Sequence, residues 1–455
     1  MSDPLLERLL SSDCDLGLLT DPDQIARHLA DATRRSGPVP PLVCRPKATQ
    51  GVSEFLRACH DLGRPVVVQG GLTGLSGGAR PMQGEVVLSL ERTTEIGMVD
   101  KVSASVTVDA GVTLQALQQV AHAAGLAFGV DIGARGTATL GGMIATNAGG
   151  IRVLRYDMMR AHVLGLEVVL ADGTILTSLR GLMKDNSGPN LNHMFIGSEG
   201  LFGVVTRASM RLSPKPQIET NALCAVPSVD AALVLLQRLR NALGPQLTAF
   251  EGIFASVYEG VGGMPGKSAP LAAGAPLYVL AEIQTFGSES GDDVFENVLM
   301  QAYKEGVCHD VVVSQSGREF EAIWNVRENC TEYTFSLGRL VGHDISVPLA
   351  SIPAFMEVAG RTLAETDPEA SAYVFGHLGD GNLHYVVKTE RREAVSPALY
   401  RVAASLGGSV TAEHGVGMDK KDYLTLVRSR EEIATIHSLK AALDPKAILN
   451  RGRVI

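Results

Sequence analysis

Length, segment periodicity and proline punctuation together point to an α+β protein with more than one domain. At 455 residues the chain exceeds what one hydrophobic core usually supports, and its 45% apolar content is ample for packed interiors. The first half alternates helix-period and strand-period segments, with glycine-rich loops between them. The second half mixes long helical patterns with strands and carries a histidine-bearing hairpin. Between the halves, Pro214-Lys215-Pro216 interrupts helix and central strand alike. A domain over residues 1–215, a second over 216–406 and a segment over 407–455 are expected, the last too short to fold alone and packing back on the first half.

The elements follow in order. Val52, Phe55, Leu56 and Cys59 fall at helical spacing, and Gly63 stops that helix before the strand-like Arg64-Pro65-Val66-Val67-Val68. A second pair has Ser105 to Val108 extended and Leu114, Leu117, Ala121 and Ala124 helical up to Gly125. Val163 to Leu170 and Thr174 to Thr177 flank Ala171-Asp172-Gly173, which reads as a strand hairpin. Gly203-Val204-Val205-Thr206 is a further strand. Beyond the prolines, Val229 to Leu243 is helical, while Leu277 to Ile283 and Val341 to Val347, leading to Pro348, are strands.

Three glycine-rich segments interrupt the first half. Gln69-Gly70-Gly71-Leu72-Thr73-Gly74-Leu75-Ser76-Gly77-Gly78 implies a close approach of backbone to another group, and its consecutive amides can cradle a phosphate. Its spacing is neither Gly-x-Gly-x-x-Gly nor the Walker pattern, so neither an NAD-type nor an NTP-type loop is supported. Gly136-Thr137-Ala138-Thr139-Leu140-Gly141-Gly142 leads into Ala145-Thr146-Asn147-Ala148-Gly149-Gly150, and Gly197-Ser198-Glu199-Gly200 follows. Such separated segments imply a long ligand. A dinucleotide contacted by backbone along its length fits better than a single phosphate.

The densest chemistry lies further on, where Gly376-His377-Leu378-Gly379-Asp380-Gly381-Asn382-Leu383-His384 is followed by Glu413-His414-Gly415. Ala372 to Phe375 and Leu383 to Val387 read as strands, and Gly379 to Asn382 has the turn chemistry of a tight hairpin, which brings His377 and His384 together. Two imidazoles and the Glu413 carboxylate suit Zn²⁺ or a similar divalent ion, and three protein ligands leave a coordination position open for substrate. His414, next to a metal-bound Glu413, becomes a candidate base.

Charge and targeting signals narrow the class. Lys plus Arg number 40 against 49 Asp plus Glu, a formal charge of −9, with no basic run, so nucleic acid is not an expected partner. Met1 to Arg8 lacks the pattern of a signal or transit peptide, and no apolar run reaches bilayer length. A cytoplasmic protein without an integral membrane segment is expected, with peripheral contact at the inner membrane face left open. Cys14, Cys44, Cys59, Cys224, Cys308 and Cys330 form no Cys-x-x-Cys pair and are read as reduced thiols.

Over nearly its full length the chain resembles the flavin-dependent D-2-hydroxyacid dehydrogenases of the vanillyl-alcohol oxidase superfamily, nearest in motif to the D-2-hydroxyglutarate dehydrogenase branch. The resemblance rests on the loop Gln69 to Gly78, on Gly141 to Gly150, on Leu154-Arg155-Tyr156 with Gly165 to Thr174, and on Lys184-Asp185-Asn186. The Gly-Ser-Glu-Gly segment, the histidine hairpin and Glu413-His414-Gly415 complete it. It implies a two-subdomain FAD-binding domain, an antiparallel-sheet substrate or cap domain, and a C-terminal segment returning to the FAD domain. It also implies FAD held by Gly70, Gly71, Leu72, Thr73, Gly74, Leu75 and Ser76, with the pyrophosphate on their amides. Further contacts come from Gly136, Thr137, Gly141, Gly142, Ala145, Thr146, Asn147, Gly149, Gly150, Glu199, Gly203, Val204 and Asn450. Members that attach flavin covalently through this loop use a histidine where Leu72 stands here, so dissociable FAD is expected.

The same resemblance makes His377, His384 and Glu413 the metal ligands and His414 the base. Arg327 and Thr331, four residues apart on one helix face, are expected to hold substrate, with His377, His384 and His414 also lining it. Electrons would pass to an electron-transfer flavoprotein or a quinone, and a homodimer is compatible with the family. Two positions depart from the D-2-hydroxyglutarate pattern: Gly342 stands where a lysine is usual and Val386 where an asparagine is usual. Leu201-Phe202 and Asn450-Arg451-Gly452 depart on the flavin side. A D-2-hydroxyglutarate-like substrate is favoured, with D-lactate or glycolate oxidation, a catalytically silent flavin subunit and a non-redox transferase such as an ether-lipid synthase as alternatives.

Overall fold

The computed structural model describes residues 3–287, 291–338 and 340–455, and the chain forms two compact units. The first comprises Met1–Gly149, Met158–Lys215 and Glu413–Ile455; the second comprises Gly150–Asp157 and Pro216–Ala412. This differs in two places from the linear division expected at residues 215 and 406. Gly150–Asp157 joins the second unit because Arg152 forms a two-pronged ion pair with Glu282 (2.8 and 3.0 Å) and Tyr156 Oη donates to Gln284 (2.6 Å). The second unit runs on to Ala412 because Ser409 pairs with Ser346 and the Ala412 amide donates to Asp344.

In the first unit, helix Thr49–Leu62 buries Val52, Phe55, Leu56 and Cys59 and ends on Gly63, whose φ of 63° lets its amide reach the carbonyls of the last turn. It leads into a parallel sheet of Val43–Cys44, Val86–Ser89 and Val66–Gln69, in that spatial order. A second, antiparallel sheet runs Ser105–Asp109, Val204–Arg211, Val163–Val169, Ile175–Thr177. Helices Leu114–Ala123 and Leu140–Thr146 bury Leu114, Leu117, Leu140 and Ile144 in the core of that sheet. The C-terminal residues return here: the Val66 amide donates to the Ile448 carbonyl (2.7 Å) and the Asn450 amide to the Val66 carbonyl (2.9 Å).

The second unit is built on a seven-stranded antiparallel sheet, ordered Asp310–Val313, Ile218–Val226, Leu277–Thr285, Leu247–Phe254, Ser371–Gly376, Asn382–Lys388, Val341–Ser346. On one face Leu223, Ile253, Leu280 and Phe375 pack against Val257 and Tyr258 of helix Ala255–Gly262 and against Ile323, Trp324 and Cys330 of helix Gly317–Ser336. Strand alternation puts Glu251, Glu282, Asp344 and His384 on that face too, polar residues in otherwise apolar strands. Among the described residues, no helix is long and apolar enough to cross a membrane, and all six cysteines are free.

Candidate active site

The glycine loop leaves the strand Val66–Gln69 and turns back beside residues 137–142. A Cβ on Gly71 would lie 2.8 Å from the Thr137 carbonyl carbon, so only glycine permits this approach. Leu72 takes a left-handed φ of 57°, and Gly74 and Leu75 are exposed while Ser76 is buried. Thr139 stands at the N-cap of helix Leu140–Thr146 without capping it, and its buried Oγ1 has no hydrogen-bond partner. An orphaned hydroxyl beside glycine backbone that tolerates no side chain is a cradle suited to a phosphate-bearing ligand. These residues fit FAD.

The far end of the loop is tied to the C-terminal segment. Ser76 Oγ donates to the carbonyls of His414 (3.1 Å) and Gly415 (2.8 Å), and its own carbonyl accepts from Met418 and Asp419. Glu199 accepts from the amides of Val416 (2.6 Å) and Gly417 (2.9 Å); burial raises its carboxyl above the ordinary range, against the pull of those amides. Asn450 accepts from the Val68 amide (3.0 Å) and donates to the Glu199 carbonyl (2.7 Å). The side chains of Ser76, Glu199 and Asn450, read from sequence as cofactor contacts, therefore stitch the loop, the Gly-Ser-Glu-Gly turn and the Glu-His-Gly segment together. Gly203 opens strand Val204–Arg211, where a Cβ would lie 2.7 Å from Val168.

In the second unit the hairpin is wider than its turn residues suggest. Strand Ser371–Gly376 ends at Gly376 (φ 153°), where a Cβ would meet the Asn382 carbonyl at 2.6 Å, and residues 377–381 make the connection. His377 thus sits in the connection rather than on a strand, while His384 lies on the sheet, opposite Phe375 and Asp344. The His377 and His384 rings are 5.3 Å apart at 80°, with ligand atoms within 4.8 Å. His377 Nδ1 contacts Glu251 Oε1 at 2.8 Å, which assigns the proton to Nδ1 and the ligating lone pair to Nε2. The donor set, two imidazoles with carboxylates close by, suits a divalent cation of the zinc class.

Arg327, 7% exposed, donates its Nε to Glu251 Oε2 (2.7 Å), and its guanidinium lies 5.0 Å over the Phe375 ring. Its ion-pair partner is Glu251, on the strand Leu247–Phe254. Thr331, one turn on, is exposed. Burial alone would raise the Glu251 carboxyl; His377 and Arg327 beside it outweigh that and hold the group below its ordinary value. Asp344 accepts from Asn382 Nδ2 (2.9 Å), the Ala412 amide (3.1 Å) and Thr411 Oγ1 (3.3 Å), and lies 3.9 Å from His384 Nδ1. Glu413 and His414 follow Ala412 directly in the chain, so Asp344 anchors the residue that precedes them.

Sequence reasoning singled out none of Glu251, Glu282 and Asp344. The signal was present: a lone carboxylate in Leu-Thr-Ala-Phe-Glu-Gly-Ile-Phe or in Leu-Tyr-Val-Leu-Ala-Glu-Ile-Gln stands in a strand too apolar to be solvated. Glu282 accepts from Trp324 Nε1 (2.8 Å), from Thr248 Oγ1 (2.6 Å) and from Arg152, fixing the helix that carries Arg327.

Comparison with known proteins adds to this geometry. Residues 215–454 match the family described as FAD linked oxidases, C-terminal domain, and residues 40–178 match the FAD binding domain. The chain is 38% identical over 446 residues to mitochondrial D-2-hydroxyglutarate dehydrogenase of Bos taurus, covering 96% of this chain and 81% of that one. It is 37% identical over 470 residues to D-2-hydroxyglutarate dehydrogenase of Xanthomonas citri pv. viticola, covering 100% and 97%. Among solved structures, an alkyldihydroxyacetonephosphate synthase aligns with a TM-score of 0.78 at 18% identity, over 99% of this chain and 85% of that one. That last likeness concerns the fold alone, which is of the vanillyl-alcohol oxidase type.

Proposed function

The chain belongs to the family of FAD-linked oxidases, among relatives named D-2-hydroxyglutarate dehydrogenases, and on that premise we propose that it oxidises a D-2-hydroxyacid to the 2-oxoacid with FAD as hydride acceptor. The observation that carries this reading is the buried line of charge from Arg327 through Glu251 to His377, on the sheet face that also presents His384.

Bound FAD supplies the acceptor for the Cα hydride, and a divalent ion such as Zn²⁺ supplies polarisation of the α-hydroxyl and α-carboxylate. His377, His384 and Glu413 hold the ion. His414 takes the α-hydroxyl proton onto a neutral ring nitrogen. Arg327 grips a substrate carboxylate with its two Nη groups, since Nε is already committed to Glu251, and Thr331 lies further along the same helix. The amides of residues 70–76 hold the pyrophosphate, and with Leu72 in place of a nucleophile the FAD is held non-covalently. An electron-transfer flavoprotein or a quinone would be the partner that takes up the electrons. A cytoplasmic setting and a homodimer complete the proposal.

The relatives favour a D-2-hydroxyglutarate-like diacid. A second reading, a D-lactate-like or glycolate substrate, is favoured by one observation: Gly342 and Val386 face each other in the strand ladder, one alternation from Asp344 and His384 on the same face. Anaerobic flavin bleaching of zinc-loaded protein against D- and L-2-hydroxyglutarate, D-malate, D-lactate, glycolate and D-mandelate, with a chelated control, tests both. Metal-dependent bleaching by D-acids alone supports the reading and ranks the substrates. No bleaching by any acid refutes the dehydrogenase and favours a silent flavin subunit.

A further inference from the structure

We propose that Glu251 is a positioning residue that couples substrate binding to metal binding, one carboxylate oxygen orienting His377 and the other orienting Arg327. The inference rests on the metal-assisted reading above. Glu251 is 1% exposed on the strand Leu247–Phe254, with Oε1 2.8 Å from His377 Nδ1 and Oε2 2.7 Å from Arg327 Nε. Both partners are themselves buried, at 5% and 7% exposure, so neither contact is a screened surface pair.

Each contact sets the geometry of a different task. A carboxylate on Nδ1 fixes the imidazole tautomer and ring plane and makes Nε2 a better ligand. A carboxylate on Nε fixes the guanidinium in its plane, with the Nη edge left to meet a substrate carboxylate two-pronged. Phe375, under the guanidinium at 5.0 Å and next to His384 at 5.2 Å, limits the movement of both groups. Because one anion serves both, a substrate that tightens Arg327 also tightens His377. The coupling is reciprocal: metal raises affinity for the hydroxyacid, and hydroxyacid raises affinity for metal by the same factor.

The test uses full-length, FAD-loaded protein carrying E251Q. A glutamine amide offers one acceptor oxygen, so one of the two charged contacts must fail. Zinc affinity, read by competition with a chromophoric chelator, is expected to fall about ten- to a hundredfold. With zinc restored to saturation, KM for the best hydroxyacid is expected to stay raised by at least about tenfold while kcat recovers to within about threefold, the split expected of a lost binding contact. Wild-type zinc affinity together with wild-type KM overturns the proposal. So does weakened zinc binding with an unchanged KM at saturation, since Glu251 then serves the metal alone.

H377N separates this inference from the reading beneath it. If H377N binds zinc as wild type does, the metal site has been misassigned. If H377N loses zinc and E251Q does not, Glu251 alone has. Should E251Q lose its FAD or its fold, E251D keeps the anion with a shorter reach, and smaller losses in both zinc affinity and KM are expected; wild-type values in E251D overturn the proposal.

Discussion

Arg453→Met removes a buried cation close to the C-terminus and leaves its partner anion behind. The two side chains are 1% (Arg453) and 0% (Glu85) exposed and meet through bonds of 2.7 and 2.8 Å. The same guanidinium donates to the carbonyls of Gly78, Arg80 and Arg451, so it closes the end of the glycine loop. Removing one member of a buried pair costs about 3–5 kcal/mol, because the remaining charge stays desolvated. Three carbonyls losing a charged donor put the expected loss in the upper part of that range, a large share of the roughly 5–15 kcal/mol that stabilises a domain. E85Q/R453M removes the stranded charge and is expected to recover at least about half of the loss. Urea unfolding followed by flavin release reads the first unit by itself, which suits a chain of two units that need not unfold in one step. A single variant within about 1 kcal/mol of wild type, or a double variant no more stable than the single, would refute the reasoning.

Gly71→Ala is expected to weaken FAD binding by at least about thirtyfold, about 2 kcal/mol, because its Cβ presses on the Thr137 carbonyl and the loop must retreat; FAD content per purified chain measures it. His384→Asn is expected to abolish stoichiometric zinc and lower kcat/KM by about 10²–10⁴-fold, with chelation doing the same to wild type and nothing more to the variant. Gly342→Lys enters open space, since no atom lies within 4 Å of an added Cβ, and its ammonium is expected to shift kcat/KM about tenfold or more towards D-2-hydroxyglutarate over D-lactate. An unchanged ratio would show that the far carboxylate is read elsewhere.

Local signals were legible where local chemistry decides. The apolar spacing from Val52 to Cys59 with Gly63 after it marked helix Thr49–Leu62, and Ala171-Asp172-Gly173 marked the turn between Val163–Val169 and Ile175–Thr177. The pairing of His377 with His384 was also legible, since both flank one turn. The turn itself was not: Gly379 to Asn382 looked like a tight hairpin, but Gly376 leaves the ladder early and the Gly379 amide bonds the Phe250 carbonyl (2.9 Å) on another strand. A partner 129 positions away in sequence overrode the local preference.

The sequence by itself determined the α+β class, the glycine-rich loops, the histidine pair and the family, because each is carried by short local motifs or by such motifs in order along the chain. Tertiary structure alone decided what Arg327 binds. Its partner is Glu251, 76 residues away on the neighbouring sheet, because a guanidinium buried among Phe375 and the strand Leu247–Phe254 requires an anion within that interior. Nor does the chain order reveal that this same carboxylate holds His377, 126 residues further on, since a side-chain contact between one strand and the connection leaving another depends on strand order and register, which distant segments set together.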